Sequence, residues 1–231
     1  MKFDRPTLVT ITAPTCSGKN YLLNKVLDQF GWSKVVSTTT RAQRAGEVDG
    51  VDYHFISEQQ SLDMEKNCWF AELVTFRGVR YGVTSEELFG KIESGVAPVV
   101  ILEPQGVEIY KQLCALNGYD IFMVYISLSE SKRIDRLVQR TEDDIRMLED
   151  NDHGWNSAHT AETQRMIEAV RATHADRLQS IQTVERGWIT QQIWDVIVPG
   201  DDANKALEMI AHGVQYRNQK NKAPAPYNHY A

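Results

Sequence analysis

Apolar positions along the chain gather into short strand-like runs separated by stretches with helical spacing. Leu8–Thr12 is a β-rich run, and Tyr21–Phe30 follows with Leu22, Leu23, Val26 and Leu27 at helical intervals. Val35–Ser37 predicts a second strand, while Ala97–Leu102, Ile121–Ile126 and Trp194–Val198 are of the buried-strand type. Helices are predicted over Ser129–Arg140 and over about Ala158–Val184, where Ile167, Val170, Leu178 and Ile181 share a face. A final helix is predicted over Asp202–His212, with Asp202 as its cap and Gly213 as its stop. Strands alternating with helices imply an α/β fold with a parallel sheet and right-handed crossovers. From Thr38 to about Phe89 the pattern changes to short strands and turns, punctuated by Gly46, Gly50, Gly78 and Gly82. This stretch reads as a subdomain inserted on the sheet. Residues after Val214 carry Arg217, Lys220 and Lys222 but no acid and almost no aliphatic residue, which predicts a mobile tail.

Composition narrows the class. The 231 residues suit one large domain, and 42% hydrophobic with 24% charged residues excludes wholesale disorder. A net charge of −6 argues against a broad electrostatic grip on polymeric nucleic acid. Cys16, Cys68 and Cys114 lie far apart in no metal-ligand spacing, so they read as reduced thiols. His54, His153, His159 and His174 also lack ligand spacing, and no zinc site is expected. Neither a signal peptide nor a membrane span is recognisable, so the expected location is cytoplasmic, with no membrane partner.

The first candidate chemistry lies between the first strand and the first helix. Ala13-Pro14-Thr15-Cys16-Ser17-Gly18-Lys19-Asn20 approximates the phosphate-binding loop GxxxxGK[ST]. In such a loop consecutive backbone N–H groups form an anion nest, the helix start adds its positive end, and the lysine reaches the terminal phosphates. Ala13 replaces the first glycine, which is tolerable if that position keeps negative φ. Asn20 replaces the hydroxyl that ordinarily ligates Mg²⁺. Either its amide oxygen, also a hard ligand, substitutes, or the metal leans on water and phosphate.

The stretch Ser37-Thr-Thr-Thr-Arg41-Ala-Gln-Arg44-Ala-Gly-Glu47-Val-Asp-Gly-Val-Asp-Tyr53-His-Phe55 is far more specific. It resembles the guanylate kinase signature SxTTRxxRxGExxGxDYxF. Phe70-Ala-Glu72, Gly78-Val-Arg-Tyr81-Gly82 and Glu103-Pro-Gln-Gly106 resemble that family's FxE, GxxYG and DxQG elements. These elements occur in family order over about residues 8–110, and VIVPGDD at 196–202 is similar to the family's VIVNDD. The resemblance implies a P-loop kinase core over 1–36, 90–128 and 193–213, with a parallel sheet flanked by helices. It further implies a mixed-β subdomain at 37–89 that binds the nucleoside monophosphate, a helical lid within 129–192, and a tail over 214–231. ATP and Mg²⁺ are the implied cofactors.

The residue types fit these roles. Arg41 and Arg44 offer forked donors and Tyr53 and Tyr81 neutral hydroxyls to an acceptor phosphate carrying close to two charges. Glu47 belongs to the same signature. Glu72 can accept from the N1–H and N2 amine of guanine, and Ser37 can serve the O6 edge. Val83 stands where the family has a Ser or Thr that helps read O6. A donor lost to a buried carbonyl costs on the order of 1–3 kcal/mol. Either Thr84 or Ser37 compensates, or the acceptor is not ordinary GMP. Glu103 replaces an aspartate, keeping the charge but adding a methylene beside the metal.

Nucleotide kinases close an arginine-bearing lid over the migrating phosphoryl group. Arg133, Arg136 and Arg140 share one helical face. Arg136 and Arg140 resemble the family's lid pair, and Arg165 in Gln164-Arg165-Met166 a third lid arginine. Residues 141–164 and 180–193 have no family counterpart. They suit a larger lid, a homodimer contact or a guide for a bulkier acceptor. The reading is ATP-dependent phosphoryl transfer to a nucleoside monophosphate, GMP or dGMP. The alternatives are a kinase for a modified nucleotide or a hydroxymethylated pyrimidine in DNA, and a non-catalytic binding module. Retention of Gly18 and Lys19 argues against the last.

Overall fold

The chain begins with β1 (Thr7–Thr12), buried along its whole length, and the phosphate loop that leads into α1 (Lys19–Phe30). A computed structural model describes residues 1–222 except 45, 77, 151–156, 184 and 192. His153 and Trp155 of the 141–164 extension, and residues 223–231 of the expected tail, lie outside the described residues. The short edge strand β2 (Ser33–Lys34) leads to β3 (Thr38–Thr39), β4 (His54–Phe55), α2 (Glu58–Lys66), β5 (Phe70–Phe76), β6 (Val79–Thr84) and α3 (Ser85–Glu93). The core resumes with β7 (Pro98–Ile101), α4 (Pro104–Leu116) and β8 (Asp120–Ser127). Helices α5 (Glu130–Asp150) and α6 (Ser157–Gln182) pack together, a 3₁₀ turn spans Glu185–Gly187, and β9 (Val196–Pro199) and α7 (Ala203–Lys222) complete the order.

The main sheet has the order β2-β7-β1-β8-β9, with every pairing parallel. Its two faces bury different residues of the central strand, as period-two alternation requires. Val9 and Ile11 pack with Leu22, Val26, Leu207 and Ile210 of α1 and α7, while Leu8 packs with Leu88, Ile92 and Tyr110 of α3 and α4. Helices on both faces make this the expected α/β core, and no helix among the described residues is long and apolar enough to cross a membrane. The second sheet, β4-β3-β6-β5, is mixed, as expected for the inserted subdomain.

Several elements differ from the sequence reading. The expected strand Val35–Ser37 is shifted: Val35 N–H still bonds Val99 O at 2.8 Å, but Val36 N–H turns to the Glu87 carboxylate at 2.7 Å and leaves the sheet. Between 38 and 89, where strands and turns were expected, α2 and most of α3 are helical. α2 buries Ser61 alone, so its apolar pattern is silent; its start is fixed by a capping box between Ser57 and Gln60. α4 was not anticipated, and α5 runs well past Arg140.

The largest correction concerns the C-terminal helix. Asp202 caps it as expected, accepting from Lys205 N–H at 3.0 Å, but the helix continues through Gly213 to Lys222. Val214 is buried, Arg217 bonds Ile121 O and Asp195, and Asn218 bonds Lys2 O at 3.1 Å and Asp4 N–H at 3.0 Å. Residues 214–222 therefore belong to the fold. Gly213 marks a close approach rather than a stop: a Cβ there would lie 2.9 Å from Phe122 Cζ. The Phe122 ring has little room to yield, being flanked by Phe3 at 5.4 Å and the Arg217 guanidinium at 5.9 Å.

These two roles for Gly213 predict opposite signs. An unconstrained mid-helix glycine gains about 1 kcal/mol on replacement by alanine. Gly213→Ala is expected instead to lose about 1–3 kcal/mol through overpacking. Chemical denaturation of the two proteins reads the sign directly.

Candidate active site

The phosphate loop joins β1 to α1 through two residues with positive φ, Cys16 at 62° and Gly18 at 86°. Left-handed residues interrupting a turn aim neighbouring N–H groups inward, as an anion nest requires. Gly18 is the N-cap of α1 and makes no side-chain cap bond, which leaves the positive helix end unblocked by a cap. Ala13 is not among the non-glycine residues with positive φ, so its methyl is no obstacle to the loop. Gly200, just after β9, presses against the loop so closely that a Cβ would lie 2.5 Å from Ser17 O.

Lys19 opens α1 and is half-buried beside the loop. Burial pushes its ammonium below the usual lysine range, and the Glu103 and Glu185 carboxylates oppose that shift. Asn20 is exposed in the same cleft, which has a volume of about 490 Å³ and is lined also by Ser37, Glu47 and Tyr53. Glu103 is exposed at the N-cap of α4 and makes no side-chain cap bond. Among the described residues no three His, Cys, Asp or Glu side chains converge on a possible metal position. Of the two residues offered for a metal, Asn20 lines the cleft, whereas Glu103 is not among its lining residues and bears on it through the charge of Lys19.

Of the residues expected at the acceptor, Ser37, Tyr53, Glu72, Tyr81 and Val83 line one cavity, while Arg41 and Arg44 lie beside Glu47 outside its lining. Glu47 accepts from the Arg41 guanidinium at 2.7 Å and from Arg44 N–H at 2.8 Å. The bond from Arg41 holds the Glu47 carboxyl below its usual range and raises Arg41 in return. Glu47 thus orients the arginine segment. The Arg41 guanidinium lies 5.4 Å from the Tyr53 ring centre, and Tyr53 meets Tyr81 edge-on at 6.2 Å. The Arg44 side chain is exposed.

A second cavity of about 240 Å³ shares Ser37, Tyr53, Val100 and Ile101 with the first, and Glu72, Tyr81, Val83 and Tyr110 line it further in. A bulge between Phe70 and Glu72 sets Glu72 directly opposite Val83, so both side chains stand on the pocket face. A Cβ on Gly82 would lie 2.7 Å from Glu72 O, which explains the glycine after Tyr81. Thr84 is occupied elsewhere: it caps α3, accepting from Glu87 N–H at 3.1 Å, and does not line the pocket. Of the two hydroxyls named to compensate for Val83, Ser37 is the one present.

The lid arginines take separate roles. Arg136 bonds Cys16 O at 3.2 Å and Gly200 O at 3.3 Å, bridging the loop to the end of β9. Arg140 is exposed, 3.8 Å from Asp144. Arg133 is only 5% exposed and pairs at 2.6 Å with Glu185, itself 4% exposed. Arg165 is exposed on α6 and lines neither cleft. Arg177, on the same helix, is one of three arginines whose charge reaches Cys16. Burial pushes that thiol up, and Arg140, Arg177 and Arg133 pull it back.

Glu185 was missed in the sequence. Its carboxylate accepts from Thr15 N–H at 3.1 Å and from the Thr15 hydroxyl at 2.7 Å while it pairs with Arg133. The 180–193 extension therefore reaches the phosphate loop itself. A lone glutamate in a segment without periodicity carries no sequence signal, and Arg133 was grouped with its neighbours by spacing alone.

Comparison with known proteins agrees with this geometry. A family model described as guanylate kinase matches residues 5–160. A guanylate kinase of Desulfotalea psychrophila is 32% identical over 123 residues, covering 53% of this chain and 61% of that protein. One of Chlamydia muridarum is 34% identical over 151 residues, covering 64% of this chain and 72% of its own. The crystal structure of guanylate kinase from Anaplasma phagocytophilum superposes with a TM-score of 0.54 at 18% identity, over 93% of this chain and 87% of the other, and shares the fold. The chain belongs to the guanylate kinase family, the P-loop nucleoside monophosphate kinases. Glu185 lies beyond the matched region.

A buried ion pair is costly to break from one side and cheap to replace whole. Glu185→Ala is expected to lose about 3–5 kcal/mol, because Arg133 is left buried without its partner. Arg133→Met combined with Glu185→Leu is expected to lose much less than the two single changes summed. A double-mutant cycle by equilibrium unfolding checks this; additive losses would mean the pair is not coupled.

Proposed function

We propose that this guanylate kinase family member transfers the γ-phosphoryl group of ATP to a nucleoside monophosphate, GMP or dGMP. The observation that carries the reading is the adjoining pair of clefts, which leads from Lys19 and the loop, past Tyr53, to Glu72. The relatives named above are guanylate kinases, and the acceptor residues of the family pattern line these clefts or flank them.

In this reading the triphosphate lies along the loop amides and the N-terminal end of α1, which are fixed before the reaction and need no reorganisation. The donor nucleoside occupies a cavity of about 240 Å³ that touches the loop through Ser17 and Gly18 and is lined by Tyr21, Arg136 and Asp201. Lys19 meets the charge that develops on the migrating group. Arg41, oriented by Glu47, and the hydroxyls of Tyr53 and Tyr81 hold the acceptor phosphate in line. Arg136 stands at the loop and Arg140 one turn further along α5, placed to close over the transferring group. Asn20 and Glu103 would hold Mg²⁺ when it is bound with the nucleotide, and the ion would supply further neutralisation of phosphate charge. No covalent protein intermediate is required.

Lys19→Ala is expected to lower kcat by at least roughly 10²–10³, the scale of one preorganised donor, while far-UV circular dichroism stays unchanged. Wild-type turnover in this variant would refute the assignment. An acceptor screen with GMP, dGMP, dTMP, hydroxymethylated pyrimidine monophosphates and modified DNA reads the substrate; transfer to the pyrimidines or DNA instead of the guanine nucleotides would replace this reading.

The depressed Lys19 also predicts a pH dependence. An ammonium whose pKa is lowered loses its proton earlier as pH rises. The alkaline limb of kcat/KM for ATP, which reports the free enzyme, is therefore expected below the ordinary lysine value of 10.5. Lys19→Arg should move that limb upward if the variant retains activity.

A further inference from the structure

Tyr110 lies on α4, outside every motif of the sequence pattern, and its residue is wholly buried. Its ring belongs to the apolar cluster of Leu8, Val35, Leu88, Ile92 and Val100, yet its hydroxyl donates to Glu72 Oε2 at 2.8 Å inside the acceptor pocket. Core packing thus holds one end of the side chain while the other end touches the carboxylate that faces the base.

We infer that Tyr110 determines specificity by positioning Glu72, the carboxylate that lines the pocket. The inference rests on the acceptor being a purine monophosphate, as proposed above. An ionised carboxylate only accepts, so the phenol must be the donor. Burial and the Glu72 charge push the phenol well above its usual range, so it does not ionise under working conditions. The pocket therefore displays the two Glu72 oxygens as adjacent acceptors, one of them steadied by Tyr110. The complement is a pair of neighbouring N–H donors, which guanine supplies as N1–H and the 2-amino group.

The remaining lining sharpens this. Val83 is 3% exposed, and Val74, Val100, Ile101 and Leu102 add further apolar surface. Thr84 is taken up by its helix cap, which leaves Ser37 as the aliphatic hydroxyl in the pocket. Recognition is thereby concentrated on the edge bearing N1 and the 2-amino group, where Tyr110 and Glu72 stand, rather than at position 6. A purine without the 2-amino group leaves a Glu72 oxygen unmatched, and sites built to hydrogen-bond a substrate N–H reject analogues that lack it.

The test compares kcat/KM for GMP and IMP, which differ by the 2-amino group, in the wild type and in Tyr110→Phe. Phenylalanine keeps the ring that fills the core. The wild type is expected to prefer GMP, and the variant to lose about tenfold of that preference, the scale of one hydrogen bond to a charged group. The loss should fall in KM for GMP, with kcat little changed. Calorimetric binding of GMP and IMP gives the same ratio without turnover, should the variant turn over poorly. An unchanged GMP-to-IMP ratio beside an active wild type would overturn the role of Tyr110 alone. Failure of the wild type to bind or phosphorylate either purine would overturn the proposed function, and this inference with it.

Discussion

A carboxylate buried against a phosphate loop is unfavourable unless its charge and lone pairs are met, and Glu185 meets both demands at once. Arg133 supplies the opposite charge, and Thr15 supplies an N–H and a hydroxyl. One side chain thereby ties three segments distant in sequence: the loop, the first turn of α5 and the turn after α6. Arg133 and Arg136 lie on the same helix, so fixing Arg133 constrains where Arg136 meets the loop carbonyl of Cys16. Arg140 follows on the next turn with a weaker tether, the exposed contact to Asp144. Helix α5 is thus anchored to the loop near its start and to α6 further along, where Thr141 and Asp144 both meet the buried His174.

The two ends of the site use different physics. In the proposed reaction the phosphate end would rely on charge and on backbone amides: Lys19, the loop and Arg41 steadied by Glu47. These groups favour any phosphate of suitable shape, so they give rate more than selectivity. At the base end the lining is mostly apolar, and the few polar atoms are directional. A base that leaves one of them unpaired forfeits a hydrogen bond, so mismatch is penalised there. The bulge that sets Glu72 opposite Val83, and the lack of space for a side chain at Gly82, belong to this second end. Backbone geometry there decides which side chains can face a base at all.

Much of this was legible in the sequence because certain residue types are hard to explain otherwise at their spacing. The phosphate loop, the Arg41–Tyr53 stretch and the alternation of strands and helices all carried such signals, and the parallel sheet followed from the alternation. The missing pieces share a different character. α2 buries a single residue, so its cap rather than its periodicity defines it. Gly213 resembles a helix stop in one dimension and is a contact with Phe122 in three. Glu185 and Tyr110 acquire their meaning from partners 170 and 38 positions away. Local patterns show what a segment prefers, whereas these residues are defined by what another segment brings to them.

The acidic surplus of the chain fits the same division. Net charge describes the long-range field, which salt screens over roughly 8–10 Å. Phosphate binding at this site depends on shorter distances, where placed amides and a few cations outweigh the average. Glu47 shows how acids can serve that end: it neutralises nothing in the substrate but fixes Arg41, reducing the conformational freedom lost when phosphate binds. Glu185 does the same for the loop through Thr15, and Glu103 helps Lys19 to keep its proton against burial. Near the site the negative residues act largely on the positive ones. An acidic protein can therefore hold a polyanionic nucleotide without a broadly basic surface, because its acids preorganise the cations and amides that make the contact.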